Sequence, residues 1–138
     1  MDEKDSSNFN NFSQEVIDLI NKTVEDINPS RAVKRMEEAI KRGLPEAQAA
    51  TAYMVLGTRY EDLGQPNEAI NCYSKSIQLL VNNPMVYFWR GELLFQKGQR
   101  EEARADLEKA LSFAPPNGLF SPERELAQDY LTQINRSS

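Results

Sequence analysis

The residue types that most often carry out catalysis are scarce in this sequence. There is no histidine, the commonest general base and a frequent metal ligand, and there is a single cysteine, Cys72. With no histidine to remove its proton, Cys72 is expected to be a small buried residue and not a nucleophile. One cysteine also excludes an internal disulfide framework. These residues predict neither acid–base catalysis nor a metal centre.

The charged residues that occur in clusters fit solvated helix faces better than a reactive site. The carboxylate pairs Glu37-Glu38 and Glu101-Glu102 are spaced for exposed helix surfaces. Glu37 and Glu38 also interrupt the largest basic group, which consists of Arg31, Lys34, Arg35, Lys41 and Arg42. The glycines are isolated, so no phosphate-binding loop is present. We therefore expect a protein that is not an enzyme and uses no cofactor.

The composition is that of one folded domain. The chain has 138 residues, of which 40% are hydrophobic and 27% are charged. Its net charge of −5 argues against nucleic-acid binding, which needs a basic face. No apolar run approaches the roughly 20 residues that cross a bilayer, and the acidic start Met1–Asp5 lacks the apolar segment of a secretion signal. We expect a cytoplasmic protein without direct membrane insertion.

A repeat with a fixed period organises the elements that must position any functional residue. An aromatic residue, two glycines and an alanine recur after 34 positions. The matching pairs are Tyr53 and Tyr87, Gly57 and Gly91, Gly64 and Gly98, and Ala69 and Ala103. Helical periodicity, punctuated by proline and glycine, predicts seven helices and no strand.

The helix boundaries follow from capping residues. Ser13 is expected to begin the first helix, Asn28-Pro29 to end it, and Ser30 to cap the second. The later helices are expected to begin at Pro45, Pro66, Asn83-Pro84, after Gly98 and at Ser121-Pro122. The fold class is therefore predicted to be all-α.

The repeated pattern resembles the tetratricopeptide repeat family. The resemblance rests on Tyr53, Leu56, Gly57, Tyr60, Ala69 and Tyr73 in one copy and on Tyr87, Gly91, Leu94, Ala103, Leu107, Ala110 and Pro115 in the next. It implies an α-solenoid of antiparallel helix pairs, which is a right-handed superhelix, with a C-terminal capping helix. Small residues at Gly57 and Gly91 would allow the two helices of a repeat to approach closely.

The same resemblance divides the chain. Residues 1–11 are expected to be a flexible acidic arm, and 12–138 a single domain. Within it we expect a degenerate repeat at 13–46, repeats at 50–83 and 84–117, and a capping helix at 121–136. The first repeat is degenerate because Ile20 and Thr23 stand where glycine and tyrosine are usual.

By this resemblance, the first helix of each repeat lines a groove that binds an extended or helical segment of a partner protein. The expected groove residues are Ile17, Asn21, Met54, Thr58, Asp62, Met85, Phe88, Trp89, Glu92 and Phe95. One subclass binds a chaperone's C-terminal carboxylate with asparagines and basic residues. Of that set only Asn21 is present here, so we exclude this type of binding.

What remains is an apolar groove with an acidic rim formed by Glu61, Asp62 and Glu92. Phe88 is expected to face the partner, so Phe88→Arg should remove binding and leave the fold intact. For Trp89, packing against the preceding repeat is the alternative. Arg90, where leucine is usual, is expected to lay its stem over apolar surface with its charge in water.

The sequence thus favours a protein-interaction module of the adaptor, assembly-factor or co-chaperone type. The alternative is a self-assembling protein. In that case the groove is occupied by another copy, by the chain's own N-terminal arm through Phe9 and Phe12, or by the seventh helix.

Overall fold

The computed structural model describes Asp18, Lys22 and residues 28–115, 117–118 and 120–136. Within these residues the chain forms α-helices and no strand. The helices are α1 Pro29–Lys41, α2 Glu46–Asp62, α3 Pro66–Leu79, α4 Pro84–Gln96, α5 Arg100–Phe113 and α6 Ser121–Arg136. Each packs against the next in the chain, and α4 also contacts α6. The fold is an all-α solenoid, as predicted. The predicted first helix and the N-terminal arm lie outside the described residues, apart from Asp18 and Lys22.

Two helices begin with the same asparagine–proline pair. The Asn28 side chain accepts a hydrogen bond from the Arg31 amide at 3.3 Å, and Asn83 accepts one from the Met85 amide at 3.0 Å. The proline that follows each asparagine occupies the start of the helix, where its missing N–H costs nothing. The second predicted helix is α1 of the structure. The prediction that Ser30 caps it is wrong, because Asn28 caps it and Ser30 already lies inside the helix.

Glycine ends the first helix of each of the two central pairs. Gly64 and Gly98 adopt φ values of 71° and 80°, which residues with a Cβ rarely adopt. The turn closes when the Gln65 amide bonds to the Tyr60 carbonyl at 2.9 Å, and the Gln99 amide bonds to the Leu94 carbonyl at the same distance. These turns return the chain antiparallel to itself.

Glycines inside α2 and α4 set the spacing within each pair. A Cβ added at Gly57 would stand 2.7 Å from Cδ1 of Tyr73 on α3. At Gly91 the added atom would stand 3.1 Å from Cγ of Leu107 and 3.1 Å from Cβ of Asp106 on α5. The close helix approach expected at both positions is therefore present, and it is tighter at Gly57.

The buried core continues along the stack. Its largest fully buried side chains are Tyr73, Met36, Leu107, Ile134 and Val86. Cys72 is buried between α1, α2 and α3, as expected, and burial raises the pKa of its thiol to about 11. In the described part of the chain, no helix is long and apolar enough to cross a bilayer.

Candidate functional site

The predicted groove residues are carried by two helices. We call the surface formed by Met54, Thr58 and Asp62 of α2 with Met85, Phe88, Trp89, Glu92 and Phe95 of α4 the groove face. Ile17 and Asn21, the remaining predicted members, lie outside the described residues.

On α2, the side chains of the groove face are partly or fully exposed. Met54 is half-buried, and its sulfur lies 3.7 Å from the Asn83 amide nitrogen. The Thr58 hydroxyl donates to the Val55 carbonyl of its own helix at 2.7 Å. Asp62 is exposed and pairs with Arg59 at 3.1 Å. This part of the groove face is open to a ligand.

On α4, Phe88 is covered. It is 3% exposed, and its ring meets that of Phe120 edge-on with centroids 6.1 Å apart. An arginine at this position would bring a guanidinium group into an apolar contact, at a cost of several kcal/mol. The Phe88→Arg substitution is therefore expected to destabilise the fold and cannot serve as a clean test of binding.

The other aromatic residues of α4 pack against neighbours on both sides. Trp89 lies 5.9 Å, centroid to centroid, from Tyr73 of the preceding pair. Phe95 lies 4.8 Å from Tyr130 of α6, whose hydroxyl donates to Glu92 at 2.8 Å. Met85, Trp89 and Phe95 all remain partly exposed. The apolar surface of α4 is thus narrower than the sequence suggested.

The acidic rim is electrostatically coupled. The Tyr73 hydroxyl donates a hydrogen bond to Glu61. Burial raises the pKa of Glu61 most strongly, the Tyr73 hydrogen bond opposes this, and the negative charges of Glu92 and Asp62 raise it further. The negative charges of Glu92 and Asp62 therefore act on Glu61, and the three carboxylates together favour a positively charged group in a ligand.

A partly buried ion pair was not predicted. Arg90 donates to both oxygens of Asp106 at 2.7 Å and to the Ser74 hydroxyl at 3.0 Å. The expectation that the Arg90 charge lies in water is wrong, because both oxygens of Asp106 hold the guanidinium. The Asp106 side chain is only 6% exposed, and that of Arg90 is 22% exposed. The signal available in the sequence was the paired change from Leu56 and Cys72, which stand 34 positions earlier, to Arg90 and Asp106.

The sequence also gave no indication of a cleft on the other side of α2. Its volume is about 340 Å³. It is lined by Glu37, Ile40 and Lys41 of α1, Tyr53, Leu56 and Tyr60 of α2, and Glu68, Asn71, Cys72 and Lys75 of α3. We call it the α1–α3 cleft. The helical pattern of the sequence does not indicate this space, which only the three-dimensional placement of α1, α2 and α3 creates.

Groups of side chains that could hold a metal ion are absent from the described residues.

Two family models match the middle of the chain. Residues 57–98 match a model described as TPR repeat, and residues 84–117 match one described as tetratricopeptide repeat. No curated protein sequence is significantly similar to this chain.

Several solved structures share the fold. The type III secretion chaperone SycD of Yersinia enterocolitica, in complex with a peptide of the translocator YopD, is 20% identical with a TM-score of 0.78, over 90% of this chain and 92% of that one. SycD in an alternative dimer is 19% identical with a TM-score of 0.75, over 90% of this chain and 92% of that one. The TPR2B domain of yeast Sti1, in a complex with pHsp70, is 20% identical with a TM-score of 0.73, over 92% of this chain and 98% of that one. At these identities the likeness establishes the fold alone.

Proposed function

Because this chain belongs to the tetratricopeptide repeat family, we propose that it is a non-enzymatic module that binds another protein. The observation that carries the proposal is the groove face, where partly exposed Met54, Met85 and Trp89 lie beside the acidic rim. Methionine and tryptophan supply adaptable and strong contacts in protein interfaces. The bound element is a peptide or helix of the partner.

The proposed role is that of an adaptor, assembly factor or co-chaperone in the cytoplasm. The likeness to SycD bound to a peptide of YopD, and to the Sti1 domain in a complex with pHsp70, supports binding of a protein segment. The acidic rim and the net charge of −5 disfavour nucleic acid as the partner. The described members of the groove face include no basic residue, which a carboxylate clamp needs.

A substitution that fills the groove face without disturbing the core tests this function. Thr58→Arg places a long side chain on the partly exposed face of α2 and costs only one hydrogen bond within the helix. Gln78→Arg makes the same addition at an exposed position of α3 and is the matched control. Both variants should keep the helicity of the wild type, measured by circular dichroism.

Immobilised wild-type protein and both variants are then incubated with lysate, and retained proteins are identified by mass spectrometry. A protein bound by the wild type and by Gln78→Arg but not by Thr58→Arg is the expected result. Retention of the same proteins by all three would show that the groove face is not the binding surface.

A second candidate is self-assembly, and one contact favours it. Phe120 and Tyr130 of the C-terminal segment cover Phe88 and Phe95, so part of the groove face is already occupied by the chain itself. If α6 exchanged between two copies, the same contacts would join them as a dimer. Sedimentation equilibrium over a range of protein concentrations distinguishes the two functions, because only self-assembly raises the mass with concentration.

A further inference from the structure

The α1–α3 cleft has parallel walls and an apolar floor. α1 and α3 both run antiparallel to α2, so they form the two walls, and α2 contributes the floor with Tyr53, Leu56 and Tyr60. These floor residues recur at intervals of three and four and therefore lie on one face of α2. Met54, Thr58 and Asp62 lie on the opposite face. The cleft is thus separate from the groove face.

The two ends of the cleft carry opposite charge. At the Tyr60 end, Glu37 accepts a hydrogen bond from the Tyr60 hydroxyl at 3.2 Å. Burial raises the pKa of that tyrosine, and the nearby negative charges of Glu37 and then Glu68 raise it further. At the Tyr53 end, the Lys75 ammonium lies 5.5 Å from the centroid of the Tyr53 ring. Lys41 follows Glu37 by one helical turn and so lies towards the same basic end.

These charges are available to a ligand. Glu37, Lys41, Glu68 and Lys75 line the cleft, and none of them forms an ion pair with any residue that the structure describes. The Lys75 side chain is exposed, as is that of Glu68. A bound group with one positive and one negative end would meet the opposite charge at each end of the cleft.

The next repeat shows the same site in a closed form. A smaller cavity of about 280 Å³ lies between α3 and α5 above α4. There Arg90 and Asp106 stand 34 positions after Leu56 and Cys72, and their ion pair occupies the floor. The α1–α3 cleft keeps the apolar residues and an open floor. The two related sites therefore differ in their floor, which is apolar in the α1–α3 cleft and occupied by an ion pair in the next repeat.

We propose that the α1–α3 cleft binds an extended segment of a partner protein in which two residues, including an apolar one that contacts the floor, separate a basic residue from an acidic residue. The basic side chain lies against Glu37 and Glu68, the apolar one over Leu56, and the acidic one against Lys41 and Lys75. The occupant is extended because a 10 Å length of helix, about 10–12 Å across with its side chains, fills on the order of 800 Å³ or more. The cleft has about 340 Å³.

The spacing of the charges in the occupant follows from the walls. Glu68 and Lys75 are about 10 Å apart along the axis of α3, at about 1.5 Å per residue. An extended chain in the polyproline II conformation advances about 3.1 Å per residue with about three residues per turn. Basic and acidic residues three positions apart therefore lie about 9 Å apart on the same face of the segment. The capped tetrapeptide Lys-Leu-Phe-Glu satisfies this spacing and serves as the probe.

The test titrates the full chain, labelled with ¹⁵N, with three capped peptides and follows amide chemical shifts. The peptides are Lys-Leu-Phe-Glu, Lys-Leu-Phe-Gln and Gln-Leu-Phe-Glu. Lys-Leu-Phe-Glu should bind about threefold more tightly than either singly charged peptide, as one additional exposed charge contact allows. The shifts should concentrate at the cleft, and those at the groove face should stay small.

Two charge-reversing substitutions, each with a matched control, test which end of the cleft contacts each charged residue of the peptide. Lys75→Glu should abolish the advantage of Lys-Leu-Phe-Glu over Lys-Leu-Phe-Gln, and Glu68→Lys should abolish its advantage over Gln-Leu-Phe-Glu. The controls Lys109→Glu and Glu102→Lys make the same changes 34 positions later, beside the closed site, and should preserve both advantages. All four side chains are exposed, so each variant should fold.

Three results would overturn the proposal. The first is equal binding of the three peptides by the wild type. The second is loss of the charge preference in the control variants as well, which would show that the preference depends on the overall charge of the protein and not on the cleft. The third is a set of shifts centred on Met54 and Trp89, which would place the peptide on the groove face.

Discussion

At the scale of single residues, Gly57 and Gly91 hold equivalent places but differ in how closely the partner helix approaches. The aromatic ring that Gly57 faces is fully buried and its hydroxyl is bonded to Glu61, so it has little freedom to move. At Gly91 the neighbouring atoms lie further away. The same added methyl group should therefore have different costs at the two positions.

Gly57→Ala should destabilise the protein by about 2–3 kcal/mol or more, and Gly91→Ala by about 1 kcal/mol, as small overpacking changes do. The two free energies of unfolding can be compared by urea denaturation. Equal losses for the two variants would contradict the role assigned to the Tyr73 ring.

The Arg90–Asp106 pair provides a second comparison between repeats. Arg90→Leu leaves the buried Asp106 carboxylate without its partner, which should cost about 3–5 kcal/mol. The double variant Arg90→Leu/Asp106→Cys copies the Leu56 and Cys72 pair and should recover most of that loss. Denaturation midpoints of the single and double variants decide this, and a double variant no more stable than the single would show that the apolar pair cannot replace the ion pair here.

Glu61 connects the acidic rim to the core, and two substitutions should shift its pKa in opposite directions. Removing the hydroxyl with Tyr73→Phe should raise the pKa of Glu61 further, because that hydrogen bond lowers it, whereas Glu92→Gln should lower it by removing a negative charge. The titration of the Glu61 side-chain carboxyl carbon, followed by NMR, measures both. A shift in the same direction for both variants would contradict this account.

The same pKa shift predicts how this group affects stability. The folded chain holds the Glu61 proton more tightly than the unfolded chain. Its contribution to stability is therefore present below a pH of about 4.5, the usual pKa, and is lost as pH rises through the raised value.

At the scale of elements, α6 is held by a few specific contacts. Its own residues Ala127 and Ile134 are buried, and the hydroxyl of Tyr130 donates a hydrogen bond to Glu92. Phe120, directly before the helix, covers Phe88. Leu126, by contrast, is 45% exposed. The attachment of this helix therefore depends strongly on Phe120.

Phe120→Ala should cost about 3–5 kcal/mol, as expected for truncation of a buried aromatic ring, and it should uncover Phe88. Leu126→Ala, at an exposed position of the same helix, should change stability by less than about 1 kcal/mol and is the control. Thermal unfolding measures both effects, and increased binding of an apolar dye by Phe120→Ala alone would report the uncovered ring. Similar losses for the two variants would mean that Phe120 does not anchor α6.

At the scale of the whole molecule, the helices form a linear stack in which contacts are mainly between neighbours in the chain. α4 is packed against α3, α5 and α6, whereas α6 packs mainly against α5 and α4 among the described helices. Stability in such a stack is distributed unevenly along its length.

Amide hydrogen exchange under native conditions should therefore be slowest in α4 and faster in α6. The comparison uses the unmodified chain, and peptide-level mass spectrometry resolves the two helices. Equal protection in both would show that the stack opens only as one cooperative unit.

The all-α fold, the positions of the described helices and the glycines that end them could be predicted because they depend on interactions between residues close in the chain. Proline at the start of a helix and glycine in the left-handed region act locally. The repeat of Tyr53, Gly57 and Ala69 after 34 positions extended this local reasoning to the packing within each helix pair. The cap of α1 was predicted at Ser30 and lies at Asn28, because both residue types favour a helix start and they stand two residues apart.

The functional surface depended on residues far apart in the chain, and only the tertiary structure placed them. The burial of Phe88 requires Phe120 and the return of α6, and the charge of Arg90 is held by Asp106 on the next helix. The α1–α3 cleft exists because three helices leave a space above Leu56 that no pattern along one helix can indicate. Such contacts arise from the way whole faces of helices meet, so periodicity identifies the faces but not the partners that cover them.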